Sequence, residues 1–367
     1  MRVALLTYST KPRGGVVHTL NLAEALAALG VEVTVWSLSR NGDHGFFRTV
    51  DDSVTVRLVP FLDEPGDDVA ARIVRSIDTL RAHFDPTGFD IVHAQDCISA
   101  NAVGPCIRTI HHLDEFTTPV LSECHEKAII EPYARICVSQ SVADEVRGHW
   151  GLTPAVIPNA VDYDRFSSAS GDDVNAVAAR GRWRARFGRY ILAVGGIEPR
   201  KGSLDLLEAY ALVVREQPDV RLVFAGGETL FDYRAYRSAF DRRSEELAVA
   251  PIVLGAVDNA DLPSLVAGCD GFAFPSVKEG FGLAAMEALA AGRPVVVREL
   301  PVFRSVFGDT VSFADGIPAL AGALIEALSG AHRGRTAAGR SLAASLTWES
   351  VARAHLDFYL QNPISDR

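Results

Sequence analysis

PSVKEGFGLAAMEALAAGRPVVV, residues 275–297, is the stretch from which the fold of this chain is read. The apolar run GFAFPS at 271–276 leads into it and has the length of a buried strand. A loop with Lys278 and Glu279 follows, and Gly280 and Gly282 flank Phe281 where a helical pattern opens over 283–291. Gly292 stops that helix and VVV begins the next strand. Strand, glycine loop, helix and strand in this order make one βαβ unit of a parallel sheet.

The same alternation extends in both directions. YILAVGG, RLVFAGG and PIVLGAV precede the stretch, PVVVREL and VSFAD follow from its end, and a helical pattern covers Ser203–Glu216. Nearer the N-terminus, VALLTY, a helix over about 17–29 stopped by Gly30, and VEVTVWSL form another βαβ unit. VTVRLVP, DIVHA, IRTIHH, RICVSQ and AVIPNA continue that series. Apolar strands that alternate with helices imply parallel sheets covered on both faces. The fold class is therefore α/β, with two Rossmann-like doubly wound domains at 1–165 and 188–345, and the polar, Arg-rich residues 166–187 reading as a linker. Such sheets take ligands at the carboxyl ends of their strands, so two of them in one chain suggest a site in the cleft they face across.

The chain has 367 residues, enough for two domains, and 48% are hydrophobic. A net charge of −10 argues against nucleic acid as a partner. No apolar run has the length of a membrane span, and the N-terminal MRVALLTYST reads as a strand rather than a signal peptide. Five cysteines without a CxxC pair suit reduced thiols, and a cytoplasmic location is expected. Peripheral membrane contact is the less favoured reading. Only four of the 36 basic residues are lysines, and Lys11, Lys201 and Lys278 fall in the loops singled out here.

Three loops carry chemistry. In KPRGGVVHTLNLAEAL, residues 11–26, Gly14 and Gly15 open a helix and let backbone N–H groups approach a phosphate or sugar; a tight βα turn would look the same. In GGIEPRKG, residues 195–202, Arg200 and Lys201 stand before a helix start, where two cations can neutralise a diphosphate; a solvated charge pair is the plainer alternative. In the third loop Gly280, Phe281, Gly282 and Leu283 expose N–H donors at a positive helix end. Glu287 can accept paired hydrogen bonds from ribose hydroxyls, and Glu279 from a second sugar. The neighbours of Glu287 are small or apolar, so a partner for its carboxylate is expected.

Other signals read as structural. Asp162-Tyr163-Asp164 spells DxD but lies in a turn leaving the first domain. Cys124-His125 and His111-His112 lack zinc-site spacing, so no metal is expected. His93 reads as a core histidine, and His18 is open to either reading. The amphipathic segment 68–84 with Arg72, Arg75 and Arg81, and YRAYRSAFDRR at 233–243, read as solvated helices.

Together these motifs resemble the family-4 retaining glycosyltransferases of the GT-B fold. TIHHLDEF, VIPNAVDYDRF, GGIEPRKG, VLGAVDNADLPSLVAGCDGFAFPS and KEGFGLAAMEALAAGRPVV carry the resemblance, the last with the family's Glu-x7-Glu as Glu279 and Glu287. The resemblance implies a metal-independent hexosyl transfer, with no cofactor, from a nucleotide-diphosphate sugar, UDP first, to a hydroxyl acceptor. It implies Glu287 on the ribose, Glu279 with residues 280–283 on sugar and phosphate, and Lys201 on the diphosphate. It further implies the backbone of Ala256 and Val257 at the base, Gly15 by the diphosphate and His111, or else His112, by the sugar. Catalytic roles fall to His111, Lys201 and Glu279. The terminal TWESVARAHLDFYL looks like the helix, 348–367, that packs back on the first, acceptor-binding domain, where 41–49 and 113–127 are the loops to consider. One departure stands out: Gly196 takes the place of the family's arginine, and Arg200 is the candidate to replace its charge. A nucleotide-sugar epimerase and a non-catalytic binding protein are the alternatives on the same fold.

Overall fold

The computed structural model describes residues 1–116, 118–227, 233–330 and 333–363. The chain divides into two compact units, Met1–Ala160 together with the residues from Trp348 on, and Val161–Thr347.

The first unit runs β1 (Arg2–Leu6), α1 (Gly14–Ala28), β2 (Glu32–Arg40), β3 (Val54–Phe61), α2 (Val69–His83), β4 (Ile91–Ala94), α3 (Cys97–Val103), β5 (Ile107–Ile110), α4 (Pro119–Ile130), β6 (Ala134–Cys137), α5 (Gln140–Trp150) and β7 (Ala155–Val156). Its seven-stranded parallel sheet has the order β3-β2-β1-β4-β5-β6-β7. The strands are near-continuous apolar runs because helices cover both faces. Val3, Leu5, Val33 and Val35 share one apolar cluster with Leu20 and Leu26 of α1. Ile110 and Cys137 pack instead with Val142, Ala143 and Val146 of α5. Gly30 adopts φ +83° and closes α1, its N–H on the Ala27 carbonyl at 2.9 Å, as the sequence leads one to expect.

The second unit contains α6 (Tyr163–Ala169), α7 (Val174–Phe187), β8 (Arg189–Val194), α8 (Ser203–Glu216), β9 (Val220–Ala225), α9 (Arg234–Glu246), β10 (Ile252–Val253), α10 (Leu262–Gly268), β11 (Gly271–Phe274), α11 (Leu283–Ala290), β12 (Val295–Arg298), α12 (Pro301–Phe307), β13 (Ser312–Ala314), α13 (Ile317–Leu328) and α14 (Arg333–Ser345). Its six-stranded parallel sheet has the order β10-β9-β8-β11-β12-β13. The order reverses between β8 and β11, and these strands pair only at Ile191–Gly271 and Leu192–Phe272 before their carboxyl ends part. A crevice for a ligand opens at such a reversal.

Residues 166–187, read above as a linker, are largely helical and belong to the second unit. Phe166 and Phe187 are buried at the two ends, Trp183 Nε1 donates to Ser264 Oγ at 2.9 Å, and Arg184 pairs with Asp270 at 2.8 Å. With so few buried anchors, α7 has the composition of a solvated segment, which hides its packing from a reading of composition.

The chain returns to the first unit as α15 (Trp348–Gln361), a helix expected over 348–367, of which 364–367 lie outside the described residues. Val351, Ala352 and Tyr359 of α15 join the α1 cluster. Among the described residues, no helix is long and apolar enough to cross a membrane.

Candidate active site

In the second unit the loops after β8 and β11 are tied together. Val277 N–H donates to the Arg200 carbonyl at 2.8 Å, and Arg298 Nε donates to the Pro275 carbonyl at 2.9 Å while its guanidinium pairs with Asp205. Gly202 makes the approach feasible: it adopts φ +64°, and a Cβ there would collide with the Pro275 carbonyl. Gly226, at the end of β9, backs onto Gly195 and Gly196 so closely that its own Cβ would collide with the Gly195 carbonyl.

This tie brings three sequence-predicted residues into contact. Lys201 Nζ lies 2.5 Å from Glu279 Oε1, and Arg200 reaches the same oxygen at 2.9 Å. Arg200 also pairs with the buried Glu198 at 3.2 Å, and Lys201 Nζ stands 4.9 Å over the Phe274 ring. The Lys201 stem packs where Gly195 has no side chain. Gly196 itself supplies no charge, and Arg200 stands at the loop as its candidate substitute.

Gly282 is the N-cap residue of α11 and has no side chain with which to cap the first N–H groups of the helix. Gly280 and Phe281 are buried just before it, and Leu283 is its first residue. Glu287 lies one turn on. Burial raises its pKa to about 7, opposed by Arg165 and reinforced by Asp162. The expected partner is thus a nearby charge rather than a hydrogen bond: Arg165 Nη2 itself donates to Asn259 Oδ1 at 2.9 Å. Asp162 of the DxD string caps α6, accepting from the Arg165 N–H at 3.2 Å. Ala256 and Val257 follow β10, with the Ala256 side chain adjoining Gly227; the Gly226 N–H donates to the Gly255 carbonyl at 2.8 Å.

In the first unit, Gly14 and Gly15 open α1 after β1, and Gly15 faces His111 at the end of β5, where a Cβ added to the glycine would fall 3.5 Å from the imidazole ring. His111 Nε2 lies 3.3 Å from Gln95 Oε1, and burial, with His18 4.9 Å away ring to ring, holds its pKa well below the ordinary imidazole range. His112 turns instead to Asp114 at 3.3 Å, so His111 rather than His112 adjoins Gly15. His18 is fully buried, its Nδ1 2.7 Å from Asn159 Oδ1. His93 is the core histidine expected, held at 2.7 Å by both the Tyr359 hydroxyl and Thr109 Oγ1. Roles for Glu198, Arg298, Asn159 and Arg165 are not read from the sequence. An arginine ending the apolar run VVVR was the one available signal, and for the others no local pattern exists.

Residues 12–165 match the model of glycosyltransferase family 4, and residues 185–335 match that of glycosyl transferases group 1. The phosphatidyl-myo-inositol mannosyltransferase of Mycobacterium tuberculosis is 30% identical over 331 residues, spanning 84% of this chain and 80% of that protein. The chain belongs to the family-4 glycosyltransferases. It is a group 1 glycosyltransferase, an enzyme that transfers sugar from a nucleotide sugar. The sucrose-phosphate synthase of Thermosynechococcus elongatus shares its GT-B fold, with a TM-score of 0.78 at 18% identity over 98% of both chains. Anabaena HepE, solved with UDP and glucose, superposes with a TM-score of 0.74 at 17% identity over 98% of this glycosyltransferase and 100% of that chain.

Proposed function

We propose that this glycosyltransferase moves a hexose from UDP-hexose to a hydroxyl acceptor, with retention at the anomeric carbon and without a metal ion. The observation that carries the reading is the meeting of Lys201, Arg200 and Glu279 where the second sheet reverses its order. There, Lys201 and Arg200 receive the diphosphate, aided by the N–H groups of Gly280, Phe281, Gly282 and Leu283 at the start of α11. Glu279 binds hydroxyls of the transferred sugar, Glu287 binds the ribose, and the backbone of Ala256 and Val257 meets the base. HepE, with its bound UDP, and the named mannosyltransferase support a nucleotide-diphosphate hexose as donor. The first unit takes the acceptor, with Gly15 and a neutral His111 as the residues assigned there.

In that step the bond from the anomeric carbon to the β-phosphate oxygen breaks and the bond to the acceptor oxygen forms on the same face. The acceptor proton passes to a phosphate oxygen of the leaving group. Lys201 and Arg200 stabilise the charge that grows on the diphosphate, the task a metal performs elsewhere. Two observations support metal independence: these cations lie beside the helix start, and the DxD aspartate Asp162 is engaged as a cap.

The test is a thermal-shift panel with UDP, GDP and ADP, each with and without EDTA. A ligand at about 100 times its Kd adds roughly 2.7 kcal/mol. A shift with UDP that EDTA leaves unchanged is expected, followed by a product of retained anomeric configuration by NMR. A melt that no nucleotide moves, or an inverted product, overturns the reading.

A further inference from the structure

A second set of cations lies at the carboxyl end of the first sheet, apart from the residues used above. Arg13 ends the loop after β1, Arg40 ends β2, and Arg72 stands near the start of α2. The Arg13 guanidinium lies 5.6 Å from the Tyr8 ring centre, and Arg40 lies 4.5 Å over Phe61. Arg40 also donates to Ser76 Oγ at 2.9 Å, and Ser76 donates to the Arg72 carbonyl at 2.6 Å. Arg40 and Arg72 share a single carboxylate oxygen, Asp63 Oδ1, at 3.5 and 3.6 Å. Arg13 has no carboxylate partner among the described residues; the Nε atoms of Arg13 and Arg40 are buried without a hydrogen-bond acceptor, and that of Arg72 reaches only Asp63 Oδ1, at 3.6 Å.

The cations around this set are matched. Lys11 pairs with Asp43 at 2.8 Å, and Arg75 lies between Asp67 and Glu64. Carboxylates near Tyr8 are engaged elsewhere: Asp96 accepts the Tyr8 N–H and that of Ser99 at 2.8 Å, and Asp114 pairs with His112. Burial lowers the Arg40 pKa, Asp63 opposes this, and both Arg72 and Arg13 are close enough to lower it further. Two guanidiniums sharing one carboxylate, with Arg13 near Arg40 and without a carboxylate of its own among the described residues, leave charge and N–H donors for which an anion is the missing partner. The planar fork of arginine suits phosphate oxygens. The place is also right, beside the point where the first sheet reverses its order between β1 and β4.

We propose that Arg13, Arg40 and Arg72 bind a phosphoryl group on the acceptor, so that the acceptor is a phosphate monoester rather than a neutral sugar. This deepens the functional reading above and rests on its assignment of the acceptor to the first unit.

The test is calorimetric titration of the full chain, saturated with UDP, with inorganic phosphate, glucose 6-phosphate and glucose. Flotation with vesicles of phosphatidic acid or of phosphatidylcholine forms a second arm. Arg13→Gln and Arg72→Gln are each expected to weaken phosphate binding about 10-fold or more, the loss of a hydrogen bond to a charged group. Arg57→Gln, exposed on β3, serves as the matched charge control and leaves binding unchanged. Circular dichroism melts establish that the variants fold. Arginine-dependent binding of glucose 6-phosphate supports the subsite with a soluble phosphate, and arginine-dependent flotation with phosphatidic acid alone supports it with a lipid headgroup. Failure of all phosphate probes to bind, or binding that both variants leave unchanged, overturns it. If UDP itself does not bind, the donor reading fails by that result alone, and the dependence on Arg13 and Arg72 still decides the subsite.

Discussion

Glu287 sits among alanines and leucines, and burial holds its pKa at about 7 against an ordinary 4.5. Between those values the folded chain keeps the proton and the unfolded chain releases it, so stability falls as pH rises through this window. The full shift corresponds to about 3 kcal/mol as an upper bound, since the side chain is partly exposed. Glu287→Gln is expected to melt above the parent at pH 8 and to match it at pH 4, in thermal scans at the two values. Nucleotide affinity moves the opposite way: only the carboxylate accepts both ribose hydroxyls, so UDP binding strengthens as pH passes about 7 and the Gln variant loses that dependence. A titration flat with pH would remove Glu287 from the ribose. Lys201 and Glu279 separate two further roles. Lys201→Ala is expected to lower kcat about 10²- to 10³-fold, the usual effect of removing one group that meets developing charge. Glu279→Ala abolishes transfer yet spares nucleotide binding, measured by turnover and by UDP titration on the same preparation.

At the level of elements, the site depends on how closely the loop after β8 approaches that after β11. The Gly202 backbone touches the Pro275 carbonyl, and Arg298 holds that carbonyl from the other side. Gly202→Ala adds both a left-handed φ strain and a backbone collision, and is expected to destabilise the fold by about 2–4 kcal/mol in urea unfolding. Gly226→Ala is expected to act similarly, because its Cβ would meet backbone rather than a side chain able to move. An alanine variant at Gly181, inside α7 and with nothing within 4 Å of the added Cβ, is the control expected to keep or slightly raise stability. Partial loss of UDP binding in the folded fraction of Gly202→Ala would show that the two loops bind as one.

At the scale of the whole molecule, the first unit is discontinuous, and α15 completes it around four buried or partly buried histidines. His93 bonds Tyr359, and His355 lies within 6 Å of both His18 and His93, ring to ring. Burial lowers the pKa of His18 to about 3 and of His355 to about 4. Below pH 6.5 the unfolded chain gains protons that the folded state refuses, so stability is lost as pH falls toward 4. His355→Gln is expected to shift the acid midpoint downward in far-UV circular dichroism. Tyr359→Phe leaves a buried His93 nitrogen without its partner and is expected to cost about 1–3 kcal/mol at neutral pH in urea unfolding.

The strands, their alternation with helices and the three glycine loops were legible in the sequence, because a doubly covered parallel strand must be an apolar run and a close βα turn must contain glycine. The same local rules marked Lys201, Glu279 and Glu287 as candidate site residues. Local pattern does not carry pairing across the chain. That Arg200 and Lys201 meet on one oxygen of Glu279, that His111 rather than His112 adjoins Gly15, and that Arg40 and Arg72 share Asp63 was decided only by the tertiary structure. Each arises from residues far apart in sequence that strand order brings to one edge of a sheet, and strand order is fixed by packing of the complete core rather than by any segment of it.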